Sequence, residues 1–239
     1  MKTIIILLLF AIIIPFPLCL LRMKKYDISF KKMLIIYFTF STIGFIGARF
    51  FPELVGMENA GIRLYGLVLF DVFALFLMSK LLNININKLG DFVAPPIMAV
   101  CASAKINCML NDCCKGIVIY YNGDVPIHFP SVIFEMLIWA IFVFILLFVE
   151  KRKTIEGLMW PLMMVWFGFA RFAVDFLRIS EWERKTYFLV LSGGQFWSLV
   201  DFFIGGIILY VVLKKSFERN PSVKEMFKAI LGIKIEKNI

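Results

Sequence analysis

Charge is scarce in this 239-residue chain: Asp, Glu, Lys and Arg make up 18% of it, against about 25% in an ordinary soluble domain. Hydrophobic residues fill 61% of the sequence, and mean hydropathy is +0.87. A water-soluble globule, a disordered chain and a nucleic-acid-binding module are excluded together. Histidine occurs once, as His128, and the five cysteines are an odd number, which does not suit a disulfide scaffold. No internal repeat, low-complexity tract or separate soluble domain breaks the apolar character.

What is abundant is phenylalanine, with 27 residues, and aromatic side chains generally at 16%. Such side chains suit helix surfaces that face lipid or its interface. A bilayer-crossing helix takes roughly 20 apolar residues, and seven runs of that kind are legible, at 4–21, 33–51, 60–78, 92–110, 132–149, 157–177 and 195–213. The first follows Lys2, as a secretory leader would. It lacks a small-x-small cleavage site before Arg22, however, and is read as a retained helix. The fourth contains Pro95, Pro96, Ser103, Lys105 and Asn107 and is expected to be broken or re-entrant. Alternate connections and the end of the chain hold well over half of the 26 basic residues: Arg22, Lys24, Lys25, Lys31 and Lys32; Lys80 and Lys88; Lys151, Arg152 and Lys153; then Lys214 onward. The positive-inside bias then predicts an all-α, polytopic membrane bundle of seven transmembrane helices, N-terminus outside and C-terminus cytoplasmic. Residues 1–213 form the membrane domain in this reading, and 214–239 a basic cytoplasmic tail.

Ionisable groups within spans are functional candidates by default. With this orientation Arg49, Arg63, Lys105, Glu135, Arg171, Asp175, Arg178 and Asp201 all fall toward the outer leaflet, with Gln195 opening the last span. Asp71 lies deeper and reads as an isolated carboxyl hydrogen-bonded in the core. The cytoplasmic half is expected to be almost purely apolar. Arg49, Arg63 and Arg178, near span ends, read equally well as snorkelling side chains. Arg171 and Asp175 share one helical face four residues apart, and a plain ion pair is the simpler alternative to a site. The convergence of so many groups at one depth favours a pocket open to the outer leaflet for an anionic amphiphile, because Arg and Lys pair with phosphate. His128, in the loop before Pro130, reads as a solvated residue. Cys108, Cys113 and Cys114 have spacings poor for zinc; no metal site is expected, and a bond from Cys108 to Cys113 or Cys114 would suit an oxidising face.

Several stretches resemble the prolipoprotein diacylglyceryl transferases, a family of seven-span bacterial membrane enzymes. Gly168-Phe-Ala-Arg171-Phe172-Ala-Val-Asp175-Phe176-Leu-Arg178 is similar to the family's Gly-x-x-Arg-Phe-x-x-Glu-x-x-Arg, with Asp175 for Glu. Ser192-Gly-Gly194-Gln195-Phe-Trp-Ser198 is similar to its Gly-Gln-x-x-Ser, and Pro130-Ser131-Val-Ile-Phe134-Glu135 to its Pro-x-x-Leu-Tyr-Glu. Asp91-Phe92-Val-Ala94-Pro95, followed by Lys105-Ile-Asn-Cys108-Met-Leu-Asn111-Asp-Cys113-Cys114-Lys-Gly116, resembles its central signature. Gly47-Ala48-Arg49 is similar to a Gly-x-Arg after an early span. The likeness runs from Met33 to Leu213.

The resemblance implies transfer of a diacylglyceryl group from phosphatidylglycerol to the lipobox cysteine thiol of a prolipoprotein. It implies no metal or organic cofactor, and a multi-pass place in the bacterial plasma membrane among membrane lipids, with the prolipoprotein signal peptide as partner. Carried over by position, Lys105 would hold phosphate with Arg171, and Asp175 would orient Arg171. Asn111 and Gly116 would shape the loop, Glu135 would brace it, and Arg49, Arg178 and Gln195 would line the substrate site. Tyr65 stands where the family has an essential His, and a phenol with an ordinary pKa of about 10 is a poor base at neutral pH. Lys105 stands for an Arg, losing bidentate phosphate geometry. The rival reading is a catalytically silent phospholipid-binding or partner-binding relative. A transporter is disfavoured, because no ionisable residue continues inward and the halves are not alike.

Overall fold

The computed structural model describes residues 14–56, 63–111, 114–152, 155–178, 186–188, 191–217 and 221–233. In chain order these form α1 (Pro15–Met23), α2 (Phe30–Leu54), α3 (Leu64–Leu82) and α4 (Ile86–Leu110), then a hairpin of β1 (Val118–Asn122) and β2 (Val125–His128). After it come α5 (Ser131–Arg152), α6 (Met159–Asp175), β3 (Thr186–Phe188), β4 (Leu191–Ser192), α7 (Gly193–Phe217) and α8 (Val223–Ile230). The protein is a helical, polytopic membrane protein: α2, α3, α4, α5 and α7 are each long and apolar enough to cross a bilayer. α6 has 17 residues. Of the expected first span, only the part from Ile14 onward lies within the described residues.

Local chemistry sets the helix ends. The Ser29 side chain accepts from the Lys32 amide at the start of α2. Asn83, in the left-handed region with φ 50°, ends α3, and the Asn85 side chain caps α4 by accepting from Asn87 N at 2.8 Å. Helices then pair through small residues: a side chain on Gly47 or Gly66 would strike the other's carbonyl, locking α2 to α3, and one on Gly168 would strike the backbone of α7 at Ser198 and Phe202. Close backbone approach of this kind drives helix association in lipid, where hydrophobic burial gives little. Stacked Trp139 and Phe167, with ring centres 5.2 Å apart, join α5 to α6. Outward faces carry exposed Phe38, Phe73, Phe144 and Phe203, as a lipid-facing surface requires.

Two expectations are corrected. The first concerns the run with two prolines, which is one continuous helix from Ile86 to Leu110, with Pro95 and Pro96 inside it. Proline lacks an N–H, so Pro95 and Pro96 leave the carbonyls four residues earlier, Asp91 and Phe92, without helical donors. Arg22 of α1 supplies them: its Nη2 donates to Asp91 O at 2.7 Å and its Nη1 to Phe92 O. The second concerns the end of the bundle that holds this joint, which is not apolar. Arg22 also donates to both oxygens of Glu150 at the end of α5, at 2.7 and 3.2 Å, and Tyr26 Oη donates to Glu150 Oε1 at 2.5 Å. Burial, followed by the Glu150 hydrogen bond, pushes the Tyr26 hydroxyl above the usual phenol range, so it stays a donor. The Asp91 carboxylate accepts the amides of Gly157 and Met159, each at 2.8 Å, and so caps α6. Arg22 and Glu150 look like charged flanks of spans in the sequence; the freed carbonyls draw them inward.

Arg22→Met orphans two carbonyls and leaves the buried Glu150 carboxylate with only Tyr26 and Lys25 at 3.7 Å, and is expected to lower stability by about 3 kcal/mol. Adding Pro95→Ala and Pro96→Ala restores two helical N–H groups and should recover part of that loss. Thermal unfolding in detergent measures both, and a triple variant no more stable than Arg22→Met would refute the joint.

Candidate functional site

At the other end of α5, about four turns from Glu150, Glu135 is fully buried and receives three cations. Lys105, from the last turns of α4, pairs with its Oε2. Arg171 of α6 donates from Nη1 to Oε1 at 3.1 Å, and Arg178, just past α6, brings Nε to 3.6 Å of the same oxygen. Arg171 also faces Asp175 Oδ1 at 3.4 Å, one helical turn on, and Arg178 Nη1 lies 4.0 Å from it. None of these side chains is more than 6% exposed. Held this far from water, charges interact strongly and are costly to separate.

The loop segments close over this layer. Ser192 Oγ donates to Asp175 Oδ2 at 2.5 Å and accepts from Gln195 N at 3.0 Å, while Gln195 Oε1 accepts from Ser192 N at 3.1 Å. The N-terminus of α7 is thereby fixed beside Asp175 and Arg171: a Cβ on Gly194 would sit 3.5 Å from Asp175 and 3.7 Å from Arg171. Gly116 forms a bridge with Arg178, and its carbonyl pairs with His128 Nδ1 at 2.8 Å. A side chain at 116 would collide with the Phe129 carbonyl, so only glycine admits this crossing. His128, read from the sequence as solvated, instead ties the hairpin to the loop that holds Arg178.

Of the residues singled out in the sequence, Lys105, Glu135, Arg171, Asp175 and Arg178 meet directly, with Gln195 joined through Ser192 and Gly116 through the bridge. Tyr65 is buried in the first turn of α3. Its ring lies edge-on to Phe51, which is edge-on to Trp197 two residues beyond Gln195. Arg49 stands apart, paired with Glu53 on its own helix, the two side chains 41% and 43% exposed. That outcome fits the snorkelling alternative better than a place in the site. Asn111 is exposed and bonds back to Asn107 at 2.8 and 3.0 Å. Cys113, central to the expected cysteine bridge, lies outside the described residues. Asp71 is buried, but its Oδ1 has no hydrogen-bond partner among the described residues, nor has either oxygen of buried Asp201. The core hydrogen bond expected for Asp71 is therefore not found at that atom.

α1, α2, α3 and α4 line an apolar cavity of about 330 Å³. Asp71 is on its wall, Phe38 and Phe45 border it on the lipid side, and Ser103 and Ala104 close it next to Lys105. Among the described residues, no group of three or more His, Cys, Asp or Glu could hold a metal ion. The cation layer suits an anionic headgroup, and the cavity suits an apolar chain.

Fold and site together define a multi-pass helical membrane protein with a cation-rich layer sunk near one face. A sequence profile of the prolipoprotein diacylglyceryl transferase family matches residues 4–212, and the chain belongs to that family. Among similar proteins is a phosphatidylglycerol–prolipoprotein diacylglyceryl transferase of Clostridium tetani, 25% identical over 166 residues, 64% of this chain and 65% of that protein. The match therefore spans just under two thirds of that relative. A protein of the same name from Streptococcus uberis is 23% identical over 229 residues, 90% of this chain and 81% of its own length. One of Clostridium perfringens, the second such transferase by name, is 29% identical over 68% of this chain and 67% of itself.

Asp201→Leu removes a buried carboxyl without a hydrogen-bond partner among the described residues and is expected to raise stability by about 1–3 kcal/mol. Arg49→Ala breaks an exposed i,i+4 pair and an exposed contact over the Phe50 ring, and should lower it by less than about 1 kcal/mol. Chemical or thermal unfolding of the purified variants checks both.

Proposed function

We propose that the protein transfers the diacylglyceryl group of phosphatidylglycerol to a cysteine thiol of an exported prolipoprotein. It acts from a seven-span bundle in the bacterial plasma membrane, N-terminus outside and C-terminus cytoplasmic. The observation that carries this reading is the convergence of Lys105, Arg171 and Arg178 on buried Glu135 in a chain that also holds an apolar cavity. The names of the relatives supply the substrate pair.

In this reaction the thiolate sulfur attacks the glyceryl carbon that bears the phosphate ester. A carbon–sulfur bond forms, the carbon–oxygen bond breaks, and glycerol phosphate leaves with the bonding electrons. Thiolate is the nucleophile, so a base must take the thiol proton. Cations fixed in place before the reaction stabilise the charge that develops on the leaving phosphate. Lys105 and Arg171 fill that role, while Glu135 and Asp175 hold them at the required spacing rather than touching the substrate. Arg178 and Gln195 border the headgroup, Gly116 fixes the loop over it, and an acyl chain occupies the cavity that ends at Ser103 and Ala104. Tyr65 takes the position of the base, and the prolipoprotein signal peptide enters from the bilayer. Arg49 and Asn111 are left at the rim by their exposure.

A second reading, a lipid-binding relative without transfer chemistry, is favoured by one observation, a tyrosine at position 65. The two separate in one assay. The purified protein with phosphatidylglycerol and a lipobox peptide should release glycerol phosphate, and Arg171→Ala should reduce the rate about 100-fold or more. Lys105→Arg restores bidentate geometry and should retain activity. Bound phosphatidylglycerol with no release, and no gain on Tyr65→His, would establish the silent relative.

A further inference from the structure

The segment after α7 is more than a basic tail. α8 runs from Val223 to Ile230 and opens with a capping box: Ser222 N donates to Glu225 Oε2 at 2.8 Å, and Glu225 N donates to Ser222 Oγ at 3.3 Å. Its far end is pinned by Gly232, with φ 68°, packed so closely on Arg152 at the end of α5 that a side chain there would collide. Between these ends α8 has an apolar arc of about half a turn. One edge of that arc docks on the bundle: Ala229 is 1% exposed, and Met226 and Ile230 join it against Leu158, Leu209 and Leu213.

The other edge of the arc stays exposed among the described residues. Val223, Phe227 and Leu231, spaced four residues apart on one stripe, are 69%, 62% and 48% exposed, and Ile233 beyond them is 49% exposed. Lys224 and Lys228 form the next stripe round the helix. Around α8 the bundle presents exposed Lys151, Arg152, Lys214 and Lys215. We propose that α8 is an interfacial helix: its stripe of Val223, Phe227 and Leu231 enters the edge of the bilayer, and Lys224 and Lys228 bind the anionic headgroups of that leaflet.

Three features select this occupant. Apolar stripe, flanking lysines and a short pre-formed helix are the composition of helices that lie in the membrane plane. α8 follows within six residues of α7, a span that already exposes Ile207 and Val211 at 65% and 55%. Four side chains also fall short of the roughly 800 Å² per partner of a standard protein interface. Nothing in this inference depends on the transfer reaction.

Hydrogen–deuterium exchange of the full chain in nanodiscs of phosphatidylcholine, with and without phosphatidylglycerol, tests it. The amides of 224–231 are expected to exchange about tenfold more slowly in the anionic discs. Lys224→Glu with Lys228→Glu should abolish that difference, and Phe227→Ser should speed exchange in both discs, while protection of α7 stays unchanged. Equal exchange in the two compositions for the unsubstituted chain would overturn the proposal. Protection that grows with protein concentration in detergent would overturn it too, by assigning the stripe to a second copy.

Discussion

Glu135 is the group on which the charged end of the molecule depends. In hydrocarbon a carboxylate has no water to lean on, so its cations must come from the protein and stay in register. Here they come from α4, from α6 and from the segment just after α6, so that one carboxylate fixes three parts of the chain relative to one another. Asp175 extends the constraint through Ser192 to the start of α7. Truncating Glu135 would cost more than one contact, because it would leave three cations to rearrange in a space without solvent.

The opposite end is governed by the same scarcity in a different form. Two consecutive prolines free two carbonyls, and the planar guanidinium of Arg22 is shaped to meet both while pairing with Glu150. This joint keeps α4 helical from Ile86 to Leu110 and so carries Lys105 to Glu135. The charged layer and the proline joint are thus coupled along a single helix. The cavity lies between them, bounded on one side by α2 and α3, which their paired glycines hold together.

Much of this was legible in the sequence. Long apolar runs mark α2, α3, α4, α5 and α7, and the unusual cost of charge in lipid flagged Lys105, Glu135, Arg171 and Asp175 before any geometry was known. The four-residue spacing of Arg171 and Asp175 places them on one face, as observed. Other features were hidden for physical reasons. Arg22 and Glu150 sit at helix ends, where basic and acidic residues normally meet headgroups; only the pair Pro95-Pro96 signals that two carbonyls need outside donors. The β1–β2 hairpin carries Asn122-Gly123, a good turn signal, but its apolar strands do not stand out in a chain where apolar runs are the rule. Burial of Asp201 without a partner has no signature in a single sequence, since the same residue could equally face a polar neighbour on another helix.

The proline joint also bears on how such a chain is made. Arg22 is synthesised 69 residues before Asp91 and 128 before Glu150. During translation its guanidinium must wait at the bilayer edge while α2 and α3 insert, and α4 arrives bearing two bare carbonyls. α1 can therefore lock only after α5 has left the ribosome, so this fastening closes late. Losing α1 would leave the finished bundle without that fastening.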